Sequence, residues 1–211
     1  NTINEVTAMP VIFGCTIILI FLLQYEIKKN AKNKTQTVQE FLQRELEANT
    51  TRKQDISGLA YQTADLSWLP DLSGIPDADG EIAAVLAALK RLQGKQYLNL
   101  SGISNTDLKL TYGAANFPFL SACDANFTAF MRRLYDLGLR LNEAGAPELA
   151  VPVLEYAVRA GTDVGSTYRL LGSIYALQGN NDALLTLCRR AEELPETIRS
   201  SVCDYLSGLC R

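Results

Sequence analysis

The stretch LGLRLNEAG (Leu137–Gly145) returns 34 residues later as LGSIYALQG (Leu171–Gly179). The same offset aligns further apolar and small residues: Leu134 with Tyr168, Leu141 with Tyr175, and Ala157 with Ala191. A period of this length, with glycine or alanine where helices cross closely, is typical of stacked helix–turn–helix units. The repeat therefore predicts an all-α fold over residues 129–211.

A third helix continues this register with Val202, Tyr205, Leu206 and Leu209. Over residues 129–211 the chain resembles the tetratricopeptide repeat family, as two repeats plus a capping helix. The likeness is weaker in the second helices, where Ala150 has the expected small residue but position 184 is Leu. Because two repeats are fewer than the three usually needed for independent stability, helices in residues 81–128 are expected to complete the stack.

The chain is also similar to a group of uncharacterised membrane-anchored tetratricopeptide-repeat proteins from clostridial bacteria. That similarity rests on the repeats, on TRKQDISGL (residues 51–59) and on SNTDLKLTYGAANFPFLSACDANFT (residues 104–128). It implies a family and a membrane anchor, but no activity.

Composition excludes one class of function and disfavours another. The chain has 211 residues, with 20 Lys and Arg against 23 Asp and Glu, and no segment is basic enough to indicate nucleic-acid binding. It has no histidine, which removes the commonest general base and zinc ligand. The five cysteines form no CxxC motif, so we expect unpaired thiols in a reducing compartment, and neither a metal nor a cofactor.

An apolar segment near the amino terminus predicts a membrane anchor. Residues 6–23 carry no charge, and four lysines follow at once (Lys28, Lys29, Lys32 and Lys34). By the positive-inside rule, we expect a tail at residues 1–5 outside the cell, a single-pass anchor at 6–27, and a cytoplasmic remainder. A cleaved signal peptide is disfavoured because no basic residue precedes the run, and a lipidated Cys15 is disfavoured because most of the run follows it.

A juxtamembrane stalk (residues 28–54) and an irregular arm (residues 55–80) are expected next. The stalk has a narrow apolar stripe of Val38, Phe41, Leu42 and Leu46, which could lie on the membrane, pair with a partner helix or pack on the domain. Packing on the domain is the favoured of the three. The arm is expected to lay its apolar side chains across the domain: Leu59, Tyr61, Leu66, Trp68 and Leu69.

Residues 77–128 contain the predicted boundaries of three helices. Apolar spacing from Ile82 to Leu92 indicates a helix that ends at Gly94 and is capped by Asp77 or Asp79. The stretch DADGE (residues 77–81), which contains both aspartates, is similar to the start of a calcium loop, but no glutamate follows at the twelfth position of such a loop. A short helix capped by Ser104 or Asn105 should end at Gly113, and Asp124 should cap the long helix that follows.

The same region is the only candidate for an enzymatic site. Its polar residues could form a pocket (Asn105, Asp107, Lys109, Tyr112 and Asn116), but helix caps and buried hydrogen bonds are the favoured explanation. Asp107 and Lys109 are two residues apart and cannot share a helical face. No phosphate-binding motif is present, and we assign no catalytic residue. A membrane-tethered enzyme or enzyme subunit using residues 104–126 remains the alternative function.

The resemblance to tetratricopeptide proteins implies a partner-binding concave face formed by the first helix of each repeat. Transfer of the register places there Arg132, Tyr135, Leu139, Asn142 and Glu143, and from the second repeat Arg169, Ser173 and Ala176. Two arginines on one concave face favour an acidic peptide or a C-terminal carboxylate. The alternative is that the arginines pair with Asp136 or Glu143 and that the arm fills the groove. The resulting expectation is a membrane-anchored adaptor or scaffold.

Overall fold

The computed structural model describes residues 37–77 and 79–210, and most residues in this part of the chain are helical. The predicted all-α fold class is confirmed. The first helix, α1, covers residues 37–50. The other elements are β1 (Gln62–Thr63), α2 (Glu81–Lys90), β2 (Gln96–Tyr97), α3 (Asn105–Tyr112), a 3-10 turn (Ala114–Asn116), α4 (Phe117–Glu143), α5 (Pro147–Arg159), α6 (Gly165–Leu177), α7 (Asn181–Ala191) and α8 (Glu196–Leu209).

The repeated stretches end in equivalent turns. Gly145 after α4 and Gly179 after α6 have φ angles of 78° and 68°, which a side chain would disfavour. The carbonyl oxygen four residues before each glycine accepts a hydrogen bond from the amide after it, at 2.9 Å in both copies. The repeated stretches therefore form equivalent turns, and each turn joins two helices that pack on each other.

The two glycines inside the repeats approach different helices. A Cβ atom at Gly138 would lie 2.5 Å from Cδ2 of Leu154 on α5. At Gly172 the corresponding atom would meet Leu206 on α8 instead. Both glycines thus allow a close helix crossing, as predicted, but α8 packs on α6 more closely than the repeat alone would suggest.

Two apolar clusters hold the described part of the chain together. The larger one includes side chains of α2 and of the five helices from α4 through α8, and its Phe127 and Phe130 are fully buried. The smaller one joins α3 and the first turns of α4 through Leu98, Leu100, Leu108, Leu120 and Cys123. Because α4 contributes to both clusters, it fixes the smaller cluster to the helical stack.

The arm lies across the domain as predicted. Its Trp68 ring stacks on Tyr156 of α5, with centroids 4.1 Å apart and planes at 10°. Leu66 and Leu69 pack on the larger cluster, and Leu59 and Tyr61 on the smaller one. The arm also carries β1, which pairs with β2 in a two-stranded antiparallel ribbon that the sequence did not indicate.

Short turns of the form Asp-x-Ser shape the arm. The carboxylates of Asp65 and Asp71 accept the amide hydrogens of Ser67 and Ser73 at 2.9 and 3.0 Å. The serine hydroxyls donate to the same carboxylates. These hydrogen bonds stabilise the charged form, so the pKa of each aspartate lies below its usual value.

Most helix boundaries agree with the sequence, and two do not. The prediction that α2 ends at Gly94 is wrong, since it ends at Lys90 and the Gly94 amide donates to the Ala64 carbonyl of the arm. Ser104 caps α3 by accepting the amide hydrogen of Asp107, and Gly113 ends it, as predicted. Asp77 accepts the amide hydrogens of Ile82 and Ala83 at the start of α2. The prediction that Asp124 caps the long helix is wrong. That helix, α4, already begins at Phe117 with a proline in its first turn, and Asp124 accepts the Leu100 amide instead.

The stalk helix α1 presents the opposite face from the one expected. The stripe side chains are 50% to 69% exposed: Val38, Phe41, Leu42 and Leu46. The domain instead contacts the buried Ala48 and the charged residues Arg44 and Glu45. The prediction that the stripe packs on the domain is therefore wrong, since ion pairs to α3 fix the helix by its polar face.

In the described ranges, no helix is both long and apolar enough to cross a membrane. The predicted tail (residues 1–5), the predicted anchor (6–27) and the first part of the stalk all lie outside those ranges. Anchor and topology therefore stay predictions.

Candidate functional site: the face of α4, α6 and α8

Arg132 and Tyr135 lie on an open depression along α4. The rest of its wall comes from the same helix: the small residues Ala125, Thr128 and Ala129, and the charged residues Arg133 and Asp136. Arg132 is exposed and makes no hydrogen bond or ion pair with any described residue, whereas the Tyr135 side chain packs partly on the core. The depression thus combines a free guanidinium with an aromatic ring.

The neighbouring arginines take the carboxylates that could have neutralised Arg132. Arg133 pairs with Asp136 at 2.9 Å. Arg140 pairs with Glu143 at 2.8 Å and with Glu81 of α2 at 2.7 Å. The alternative in which Asp136 or Glu143 pairs with Arg132 is therefore not what the structure contains.

The remaining predicted residues of α4 point elsewhere. Leu139 borders a separate depression between α2 and α4, and Glu143 is tied to Arg140 beside it. Asn142 is half-buried near the end of the helix, where its carbonyl accepts the Gly145 amide. Only two of the five predicted α4 residues, Arg132 and Tyr135, thus share one depression.

The predicted residues of α6 lie along its seam with α8. Arg169 donates to the Ser201 hydroxyl at 2.7 Å. The Ser173 hydroxyl donates to the Arg169 carbonyl at 2.9 Å, so the Tyr205 hydroxyl, 2.7 Å away, is the donor in the second bond. Ala176 is half-buried one turn further on. The structure therefore brings Arg169 and Ser173 together and adds two residues from α8.

Sequence reasoning missed both α8 residues. The offset of 34 placed Tyr205 among the register positions of the third helix, yet it is 41% exposed, and Ser201 was not predicted. The observed partners are 32 residues apart, both from Arg169 to Ser201 and from Ser173 to Tyr205. The polar residues that bond across this seam are therefore two positions closer along the chain than the residues that the repeat aligns, so the repeat does not reveal them. Across the described chain, no hydrogen bond or ion pair joins this seam to Arg132.

The polar residues of α3 bind the stalk helix. Asp107 accepts from Ser104 at 2.6 Å and pairs with Arg44 at 2.5 Å. Lys109 donates to Glu45 at 3.3 Å and to Asn49 at 2.9 Å. The Thr106 hydroxyl also donates to Glu45, and this bond, followed by Lys109, holds the pKa of Glu45 below its usual value. These side chains connect two helices.

The other members of the predicted pocket are also separate. The buried Asn116 amide donates to the carbonyls of Gln54 and Tyr112, at 2.8 and 2.7 Å. The Tyr112 ring packs on the smaller cluster, and Asn105 is exposed in the first turn of α3. The five residues therefore do not line one cavity, and their bonds fit the explanation by caps and buried hydrogen bonds.

The described cysteines differ in their surroundings. Cys123 is buried, which raises the pKa of its thiol. Cys188 lies with its sulfur 3.7 Å from that of the exposed Cys210, and burial together with this neighbour raises its pKa to about 11. Within the described ranges, no three side chains of the ligating kinds are grouped for a metal ion. Cys15 lies outside those ranges.

No protein-family model, curated protein or solved structure matches the chain. The likeness to tetratricopeptide proteins and to the clostridial group therefore stays a prediction.

Proposed function

We propose that the chain is a membrane-anchored adaptor or scaffold that binds a segment of another protein on the face of α4, α6 and α8. One observation carries the proposal: Arg132 stands in an open depression beside Tyr135 without a partner among the described residues. Arginine and tyrosine combine contact area with directional donors, and both are enriched at the energetic centres of interfaces.

The chemistry of the face indicates the partner. A free guanidinium binds a carboxylate through two parallel N–H···O bonds, each stronger than a neutral hydrogen bond. Arg169 uses one terminal nitrogen for Ser201, which fixes the orientation of its guanidinium. We infer that the partner is an acidic peptide segment or a C-terminal carboxylate.

We further propose that α4 to α7 are two tetratricopeptide-like repeats, with α8 as the capping helix. The equivalent turns after Gly145 and Gly179 support this, because their hydrogen bonds correspond at the offset of 34. Helices α2 and α4 contact each other, so α2 extends the stack at its other end.

The membrane is the proposed location of this scaffold, with residues 6–27 as the anchor and the helical domain in the cytoplasm. The exposed stripe of α1 supports the placement, since it follows the lysines directly and leaves four apolar side chains to contact lipid. The alternative of a tethered enzyme has less support, because the polar residues of α3 are engaged with the stalk.

Co-purification from membranes tests the proposal. The full chain is compared with an Arg132→Ala, Arg169→Ala double variant and with an Arg91→Ala, Arg189→Ala control that removes two exposed arginines elsewhere. We expect the proteins recovered with the wild type to be lost from the first variant and kept by the control. An unchanged set of proteins in the first variant would exclude this face as the binding site.

A further inference from the structure

A cleft separate from the depression beside Arg132 lies where three segments that connect helices meet. It is formed by the α5–α6 turn, the α7–α8 turn and the loop at residues 99–102, and its volume is about 510 Å³. Three arginines from three different helices line it: Arg159, Arg190 and Arg199. This size lies within the range of sites for small molecules, roughly 300–1,000 Å³.

A tyrosine on the wall of this cleft has a hydroxyl group free to bind a ligand. Tyr168 of α6 is only 3% exposed and lines the cleft, and its hydroxyl makes no hydrogen bond with any described residue. Burial raises its pKa to about 12, so it is protonated at neutral pH and has a hydrogen to donate.

The charges of the cleft leave two guanidinium groups available. Glu193 pairs with Arg190 at 3.3 Å, and Asp163 accepts the Ser101 hydroxyl at 3.1 Å. Arg199 donates its Nε to the Leu194 carbonyl at 2.8 Å, which orients its two terminal nitrogens.

Arg159 is the second available cation. It lies 6.0 Å from the centre of the Tyr156 ring and has no ion pair within the described ranges. The three arginines of the cleft outnumber its two carboxylates, Asp163 and Glu193, so the charge surplus of the cleft is positive.

We propose that this cleft binds a small organic anion through a phosphate or carboxylate group held by Arg159 and Arg199, with the Tyr168 hydroxyl as a further donor. Guanidinium groups match both oxyanions because each presents paired N–H donors in a plane. The site is separate from the proposed partner-binding face and does not depend on it. It is formed by turns that join α5 to α6 and α7 to α8, so an occupied cleft would stabilise the packing of the stack.

Calorimetric titration of the full chain tests the site, at constant ionic strength, with inorganic phosphate and pyrophosphate in one arm and citrate in the other. We expect saturable binding in at least one arm. Arg199→Gln and Arg159→Gln should each weaken it about tenfold, and Tyr168→Phe, which keeps the ring, by about threefold to tenfold. The matched control Arg91→Gln should bind as the wild type does.

The arms also identify the ligand class. Binding of phosphate or pyrophosphate alone would indicate a phosphorylated ligand, and binding of citrate alone a carboxylate. A measurement without variants supports the test: the binding anion should raise the melting temperature of the wild type above that in chloride. The absence of saturable binding in both arms, or equal affinity in wild type and Arg199→Gln, would overturn the proposal.

Discussion

Replacing Gly138 with alanine tests the close crossing of α4 and α5. In an open helix, Gly→Ala stabilises a protein by about 1 kcal/mol. At Gly138 the new methyl group would lie 2.5 Å from Cδ2 and 2.7 Å from Cγ of the fully buried Leu154. Rotation about χ2 moves Cδ2 but not Cγ, so backbone or χ1 must shift, at a cost of about 1–3 kcal/mol. The net expectation is a loss of up to about 2 kcal/mol.

Urea denaturation measures this effect against a matched control. Gly208→Ala, where a Cβ meets no atom within 4 Å, should raise the midpoint, whereas Gly138→Ala should lower it at an unchanged slope. In a Leu154→Ala background, itself destabilised by about 2–5 kcal/mol, Gly138→Ala should become stabilising because the clash is removed. If Gly138→Ala stabilises the wild type as much as Gly208→Ala does, the crossing is not as close as described.

Three further predictions follow from single sites. Gly113→Ala should lower the free energy of unfolding several times more than Gly145→Ala, as measured by the urea midpoint. Both glycines have a positive φ, but only at Gly113 would the Cβ clash with the backbone of residues 52–53. Oxidation with diamide should join Cys188 to Cys210, detected by mass as the loss of two hydrogens, and should stabilise the chain by about 3 kcal/mol; no crosslink would mean that the sulfurs are not adjacent. In an NMR titration, the pKa of the Asp71 carboxyl should lie below its ordinary value. Its stabilising contribution is therefore complete above about pH 4 and is lost as pH falls through the lowered pKa. An unshifted pKa would contradict the hydrogen bonds of the Asp71–Ser73 turn.

Features that depend on neighbouring residues could be predicted from the sequence. The Ser104 cap, the end of α3 at Gly113 and the equivalent turns after the two repeats each use bonds between residues within a few positions of one another. A side chain or a glycine at such a position fixes the local backbone wherever the helix later packs. These predictions therefore needed no knowledge of tertiary contacts.

Features that depend on distant contacts could not be predicted. The stripe of α1 looked like a packing surface, but the ion pairs of Arg44 and Glu45 with α3, about sixty residues away, decide its orientation. Asp124 looked like a cap, but its carboxylate is used by the Leu100 amide in a different segment. The spacing of residues along the chain does not indicate which distant segments pair, so local patterns predicted the interactions of neighbouring residues instead.

The candidate sites show the same limit. Arg132 and Tyr135 were found because the repeat register placed them one helical turn apart on one face. The arginine cleft was missed because its residues come from the ends of three helices, and no spacing along the chain links Arg159 to Arg199. Its unbonded tyrosine hydroxyl becomes visible only when burial and hydrogen bonds are known.

Site-specific photo-crosslinking of the full chain in cells tests the proposed binding face most directly. A photoreactive residue replaces Thr128, in the depression beside Arg132, or Leu185, which is 51% exposed on α7 away from that face. We expect a discrete adduct from position 128 that disappears with Arg132→Ala, and no such adduct from position 185. Adducts that are equal at both positions, or that persist without Arg132, would contradict a partner-binding role for this face.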